Sequence, residues 1–389
     1  MLKIIKGGEI FAPAYCGEKD ILLGGGQICQ IEDKINPGDD LSYEIIDASA
    51  NYILPGFIDN HVHITGGGGE GGFKTRTPAI SLSDITRGGV TTVIGCLGTD
   101  GTTRSMADLL GRARGLEEEG ITAYIYTGSY QYPVRTLTGD IQDDIVLIDK
   151  IIGVGELALA DHRSSQPTLK ELSKAASAAR VGGILSGKAG IVNIHMGDGE
   201  RNLEILEEIA DKTEIPLQQF LPTHLNRNSD IFKNAIEYGN KGGLIDLTTS
   251  TTSRFIKEGE RKCSHALKIL LDEGVALENI TFSSDGQGSL PDFDEDGNFK
   301  GLQVGRVTSL YREVRDAVLK ETLPLEKAVS VITSNPARSL ELNKKGRVKA
   351  GYDADLVLVK KDDLRIDTVI ARGKKMLAGG EVVEKGTFE

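Results

Sequence analysis

Tyr52-Ile53-Leu54-Pro55-Gly56-Phe57-Ile58-Asp59-Asn60-His61-Val62-His63 is an apolar run that ends in two histidines one residue apart. Side chains alternate faces along a strand, so His61 and His63 project together while Val62 and Ile64 point the other way. Two imidazoles on one strand face are costly to desolvate as spectators and well placed as metal ligands. The chain holds six histidines, and four of them fall at the ends of strand-like runs. That is the layout of a metal enzyme.

Downstream, strand-like runs at residues 91–95, 123–126, 151–154, 190–194, 217–221, 244–247 and 279–282 alternate with amphipathic segments such as 203–210 and 266–271. Apolar spacings near three and four in those segments predict helices, and strand–helix alternation predicts a parallel sheet with crossover helices. The His61 strand brings the count to the eight that close a (β/α)8 barrel of TIM type. An open doubly wound sheet is the competitor, but no G-x-G-x-x-G opens a first helix. The expected α/β fold is the barrel.

Both ends of the chain read differently. Residues 2–5, 20–23, 28–31 and 43–46, and later 354–360, 366–371, 374–377 and 381–383, are short β candidates. Turns are expected at Gly24-Gly25-Gly26 and Pro37-Gly38-Asp39-Asp40. The expectation is a small β-sandwich domain built from residues 1–54 plus 345–389, flanking a barrel over 55–344.

With 389 residues the chain has ample length for a barrel plus a smaller module. A formal net charge of -12 argues against nucleic acid or an anionic membrane as partner. No apolar stretch reaches the roughly 18–20 residues of a membrane span, and residues 1–8 lack the apolar stretch of a secretory leader. The four cysteines, Cys16, Cys29, Cys96 and Cys263, form no C-x-x-C pair. They read as buried, reduced thiols of a cytoplasmic protein and not as zinc ligands.

Barrel active sites lie at the C-terminal ends of the strands. There the sequence places His61 and His63, then Glu156, His195, His224 and Asp285. Four imidazoles and two carboxylates suit two borderline divalent ions, with zinc the best fit. Taken singly, a histidine among apolar residues is more often a hydrogen-bonded core residue; the joint placement outweighs that. His162 and His265 keep the plain reading, His162 as packing beside Arg163.

Pro55-Gly56-Phe57-Ile58-Asp59-x-His61-x-His63, the later His195, His224 and Asp285, and the stretch from Asn335-Pro336-Ala337-Arg338 to Gly351-Tyr352-Asp353-Ala354-Asp355-Leu356-Val357 resemble the amidohydrolase superfamily. More narrowly, the chain resembles bacterial isoaspartyl (β-aspartyl) dipeptidases from end to end. That likeness is carried by Gly66-Gly67-Gly68-Gly69-Glu70, Gly98-Thr99-Asp100, Tyr126-Thr127-Gly128-Ser129-Tyr130, Asp161-His162-Arg163-Ser164, Thr223-His224-Leu225-Asn226-Arg227 and Ser284-Asp285-Gly286-x-Gly288-Ser289. One position departs from the pattern. Where that family carries a carboxylated lysine between its metals, this chain has Glu156. Glutamate also offers two anionic oxygens but is several bonds shorter, so its backbone must sit nearer the ions, a displacement that Gly153 and Gly155 permit.

The resemblance implies a dipeptidase that hydrolyses the β-aspartyl amide bond of isoAsp-X dipeptides with a hydroxide shared by two metal ions. Asp285 is the candidate proton carrier and also a candidate ligand; the residues leave both roles open. Tyr130, favoured over Tyr132 by the family match, would stabilise the oxyanion. Glu70 is the expected partner of the substrate ammonium, and Arg163 and Arg227 of its carboxylates, with Thr99 and Ser289 completing recognition. A cyclic amidase of the dihydropyrimidinase or dihydroorotase type is the alternative enzyme, and an inactive assembly protein the alternative outside catalysis. The resemblance also implies a homo-oligomer, such as an octamer.

Overall fold

The computed structural model describes residues 2–36, 38, 42–293 and 299–389. The turn expected at Pro37-Gly38-Asp39-Asp40 falls largely outside them.

Five strands open the chain: β1 (Leu2–Phe11), β2 (Tyr15–Gly24), β3 (Gln27–Glu32), β4 (Tyr43–Asp47) and β5 (Asn51–Pro55). Eight parallel strands follow: β6 (Phe57–Val62), β7 (Val90–Gly95), β8 (Thr122–Thr127), β9 (Ile151–Leu159), β10 (Ile191–Met196), β11 (Phe220–Thr223), β12 (Ile245–Thr248) and β13 (Ile280–Ser283). A hairpin, β14 (Ser289–Phe293) with β15 (Phe299–Val304), comes next, and β16 (Leu356–Lys360), β17 (Ile366–Ala371), β18 (Lys374–Ala378) and β19 (Glu381–Val382) finish the chain.

Both termini contribute to one nine-stranded sheet in the order β19-β18-β17-β16-β5-β1-β2-β3, with β4 beside β1. The junction is β5 against β16, antiparallel from Leu356 opposite Pro55 to Lys360 opposite Asn51. Alternating apolar residues of these strands, among them Ile5, Ile21, Ile53, Leu356 and Ile370, bury a core of their own. Only Gly56 separates β5 from β6, so this sheet feeds directly into the parallel one.

Every residue of β6, β7, β9, β10, β11, β12 and β13 is buried. Strands covered on both faces belong in the interior of a parallel sheet, and runs such as Val90-Thr91-Thr92-Val93-Ile94 supply the β-branched residues that fit there. The ladder runs β6 through β11, with β12 and β13 paired separately. At one seam the Leu225 backbone N–H donates to the Asp246 carbonyl at 3.2 Å. At the other, Val62 bridges Gly286, and the Ser284 N–H donates to Asp59 Oδ1 at 3.0 Å. The sheet curls until its first and last strands are neighbours.

Crossover helices coat this sheet. Leu169–Ser186 is set by a capping box, in which Thr168 and Glu171 satisfy each other's backbone N–H groups, and it ends at Gly187. The helices expected at 203–210 and 266–271 are present as Glu204–Lys212 and Cys263–Asp272. Strand β11 starts three residues later than expected, because Leu217–Gln219 form a 3-10 turn after Pro216. Nor are all cysteines buried: Cys16 and Cys29 are exposed on the terminal sheet. Among the described residues no helix is long and apolar enough to cross a membrane.

Candidate metal centre

The C-terminal ends of the parallel strands bring the expected ligands together. His61 on β6 is fully buried, and His63 follows just past the strand. His61 Nε2 lies 3.3 Å from Glu156 Oε2, and His63 Nε2 lies 3.5 Å from Glu156 Oε1. Asp285, just past β13, sets Oδ1 3.0 Å from His63 Nε2 and 3.8 Å from His61 Nε2. On the opposite side, His195 Nδ1 is 3.3 Å from Glu156 Oε2 and 3.0 Å from His224 Nε2. His224 reaches this position from a left-handed backbone at φ 66°, and the Thr248 hydroxyl stands 2.6 Å from its Nδ1.

Glu156 is common to two donor groups. One comprises His61, His63, Cys96 and Glu156, the other Glu156, His195 and His224; within each, the donor atoms lie within 4.8 Å of one another. A local irregularity delivers the short carboxylate. Between Val154 and Leu157, β9 spends three steps where β10 spends two, from Val192 to Ile194. The extra residue is a bulge, which re-aims the side chain at that point. Gly155 makes it possible: a Cβ there would meet the Cβ of Asn193 at 2.8 Å.

The electrostatics fit cations. Both oxygens of Glu156, both nitrogens of His61 and Oδ1 of Asp285 are buried without a hydrogen bond of proper geometry, short as the distances are. Uncompensated buried polar atoms are costly unless something charged completes them. Burial disfavours ionisation of Glu156, yet His61 and His195 hold its carboxyl well below the usual range. Burial likewise opposes protonation of His61 and His63, but Cys96 and Glu156 raise His61, and Cys96 and Asp285 raise His63, well above the usual imidazole value. At His224, burial together with Arg227 and the neighbouring imidazoles pushes the pKa well below normal, leaving a neutral donor.

Above this cage opens a cavity of about 440 Å³ whose lining includes Glu70, Thr99, Tyr130, Arg163, Arg227, Asp285 and Ser289. All the expected recognition residues are therefore gathered at one wall or another. The Thr99 hydroxyl donates to Glu70 Oε1 at 2.9 Å, and Arg163 Nη1 lies 3.3 Å from the same oxygen. Arg227 Nη1 donates to the Met196 carbonyl at 2.9 Å. The Tyr130 hydroxyl is 2.8 Å from His195 Nδ1. The glycine loop is packed: Gly68, at φ 67°, sits where a Cβ would meet Ser289 Cβ at 2.9 Å and the Thr75 carbonyl at 2.7 Å.

Two residues of the site carried no assigned role in the sequence reading. Asp161 pairs with Arg163 through both carboxylate oxygens and approaches His195 Nε2 at 3.2 Å. Burial works against its charge, but His195 and Arg163 hold its pKa far below the ordinary value. Cys96 stands beside the two first imidazoles. His162 is exposed beside Asp161 and does not pack, its side chain being 91% accessible. His265 is half exposed, near Glu321.

Residues 52–376 match the model of the Amidohydrolase family. The chain belongs to the amidohydrolase family. This amidohydrolase is similar over nearly its whole length to a β-aspartyl dipeptidase of Fervidobacterium islandicum AW-1 solved with a β-Asp-Leu dipeptide: 48% identity, TM-score 0.91, 98% of this chain and 97% of that one. A second structure of a β-aspartyl dipeptidase from the same source aligns at 45% identity and TM-score 0.89, over 98% of each chain. A dihydroorotase of Staphylococcus epidermidis is 40% identical over 92 residues only, 24% of this amidohydrolase and 21% of the relative. A D-hydantoinase shares the fold at 18% identity and TM-score 0.69, across 100% of this chain and 97% of that one.

Proposed function

We propose that this amidohydrolase is a dipeptidase that hydrolyses the β-aspartyl amide bond of isoAsp-X dipeptides at a centre of two divalent ions, zinc by the chemistry of the donors. The observation that carries the reading is the opposed pair on the cavity wall, Glu70 Oε1 3.3 Å from Arg163 Nη1. In an isoaspartyl dipeptide the ammonium and a carboxylate share one carbon, because the peptide bond uses the side-chain carboxyl. An acid and a forked base side by side match that zwitterion. An α-linked dipeptide has no free carboxylate on the carbon that bears its ammonium.

His61, His63, Glu156 and Asp285 would hold one ion, and Glu156, His195 and His224 the other. When bound, such ions supply an activated water at neutral pH and polarise the scissile carbonyl. Asp285, between the cage and the open cavity, takes the proton of the attacking water and passes it to the departing amine. Tyr130 turns its O–H from His195 to the carbonyl oxygen as that atom becomes anionic. Glu70 pairs with the ammonium, Arg163 and Arg227 bind the two carboxylates, and Ser289 with the backbone near Thr99 closes around the aspartyl end.

The scaffold belongs to the same reading: residues 55–344 as a (β/α)8 barrel, and residues 1–54 plus 345–389 as a small β-sandwich domain. The two seams, Leu225–Asp246 and Val62–Gly286, support closure. Cytoplasmic location and a homo-oligomer, an octamer by resemblance, complete it.

Similarity to dihydroorotases favours a cyclic amidase as the second reading. Glu70 weighs against that, since a cyclic imide brings no ammonium to pair with it. Purified enzyme offered β-Asp-Leu, α-Asp-Leu and dihydroorotate separates the readings. Release of aspartate from β-Asp-Leu alone is expected; equal cleavage of both dipeptides, or turnover of dihydroorotate alone, rejects the assignment.

A further inference from the structure

Cys96 follows β7 directly and is completely buried. Its neighbours on one side are apolar interior residues, Ile58, Tyr126 and Ile152 among them. On the other side its Sγ faces the cage, 3.7 Å from His63 Nδ1 and 3.7 Å from the Val62 carbonyl. Packing alone asks only for an apolar side chain at this boundary. What the position holds instead is a soft donor whose sulfur lies within 4.8 Å of donor atoms of His61, His63 and Glu156.

We infer that Cys96 is a thiolate ligand of the ion held by His61, His63 and Glu156, an inference that rests on the two-ion reading above. One sulfur and two imidazole nitrogens, beside carboxylate oxygens of Glu156 and Asp285, are donors that borderline-soft zinc accepts. The thiolate also brings charge: with Asp285 and the shared Glu156 it sets three negative charges against the four positive charges of two divalent ions. As the ion binds, the S–H bond breaks, sulfur keeps the electron pair for the metal, and the proton leaves to solvent. The two ions are then unequal. The one with sulfur is retained, while the one between Glu156, His195 and His224, with nitrogen and oxygen donors only, exchanges first.

Zinc K-edge X-ray absorption of the zinc-loaded protein tests this without a variant. The expected result is a sulfur shell near about 2.3 Å beside the nitrogen and oxygen scatterers. In cobalt-loaded protein, Cys96 produces a thiolate-to-metal charge-transfer band in the near ultraviolet. That band disappears in Cys96→Ser and Cys96→Ala, while the visible ligand-field bands persist. Bound metal with only nitrogen and oxygen scatterers overturns the role of Cys96 and leaves the two-ion centre standing. A band that survives in folded Cys96→Ser overturns it as well. Protein that takes up no metal overturns both readings. Where a variant fails to fold, the wild-type sulfur shell and charge-transfer band decide.

Discussion

Asp161 grips Arg163 at two points: Oδ2 is 2.7 Å from Nη2, and Oδ1 accepts from Nε at 2.9 Å. Because Asp161 Oδ2 also lies 3.2 Å from His195 Nε2, one carboxylate ties the cavity-lining arginine to an imidazole of the candidate metal centre. The fork leaves Arg163 Nη1 directed at Glu70 and the cavity. Recognition and the metal cage are thus built on a common support.

Replacing the fork tests the recognition half. Arg163→Lys keeps the charge but cannot hold Asp161 through two nitrogens and still present a third to substrate. The loss of a charge-assisted contact predicts a fall in kcat/KM for β-Asp-Leu of roughly 10–100-fold, carried chiefly by KM. Steady-state kinetics with unchanged metal content is the check. An unaltered KM removes Arg163 from the binding site.

Asp285 is expected to matter for the chemical step. Asp285→Asn keeps the size of the side chain and removes its basicity, so kcat should drop by about 10²–10⁴-fold with the fold intact by circular dichroism. Near-normal turnover would leave proton transfer to another group.

The rim of the cavity predicts a pH effect on stability. Burial, opposed by Thr251 and Arg227, pushes Glu260 from the ordinary 4.5 up to about 7. A carboxyl with a raised folded-state pKa contributes stability that is fully present below 4.5 and lost as pH rises through 7. The full loss amounts to at most about 3–4 kcal/mol, from 1.36 kcal/mol per pKa unit. Glu260→Gln should therefore gain on wild type between pH 5 and pH 8 in thermal unfolding of metal-free protein. Parallel curves for the two proteins would place Glu260 in ordinary solvent.

The parallel strands are legible because full burial imposes apolar runs such as Ile151-Ile152-Gly153-Val154, and crossover helices impose a second period between them. The five strand-end candidate ligands after His61 are legible for a related reason: a polar residue that ends an apolar run has few structural uses. Other features depend on contacts the chain order hides. The bulge before Leu157 exists only relative to β10, so one strand read alone cannot register it. Asp161 beside Arg163 looks like an ordinary local pair until His195 arrives from another strand. Cysteine spacing misses Cys96, because its partners His61, His63 and Glu156 are supplied by other strands. The hairpin of β14 and β15 carries too little apolar alternation to announce itself.

Glu156, set between two donor groups, bears the whole account, and stepwise reconstitution tests it most directly. Metal-free protein titrated with zinc in bicarbonate-free buffer should recover full β-Asp-Leu hydrolysis as two equivalents bind, whereas Glu156→Ala should retain less metal and recover little activity. Full activity without bound metal, a requirement for added bicarbonate, or wild-type metal content in Glu156→Ala would contradict it.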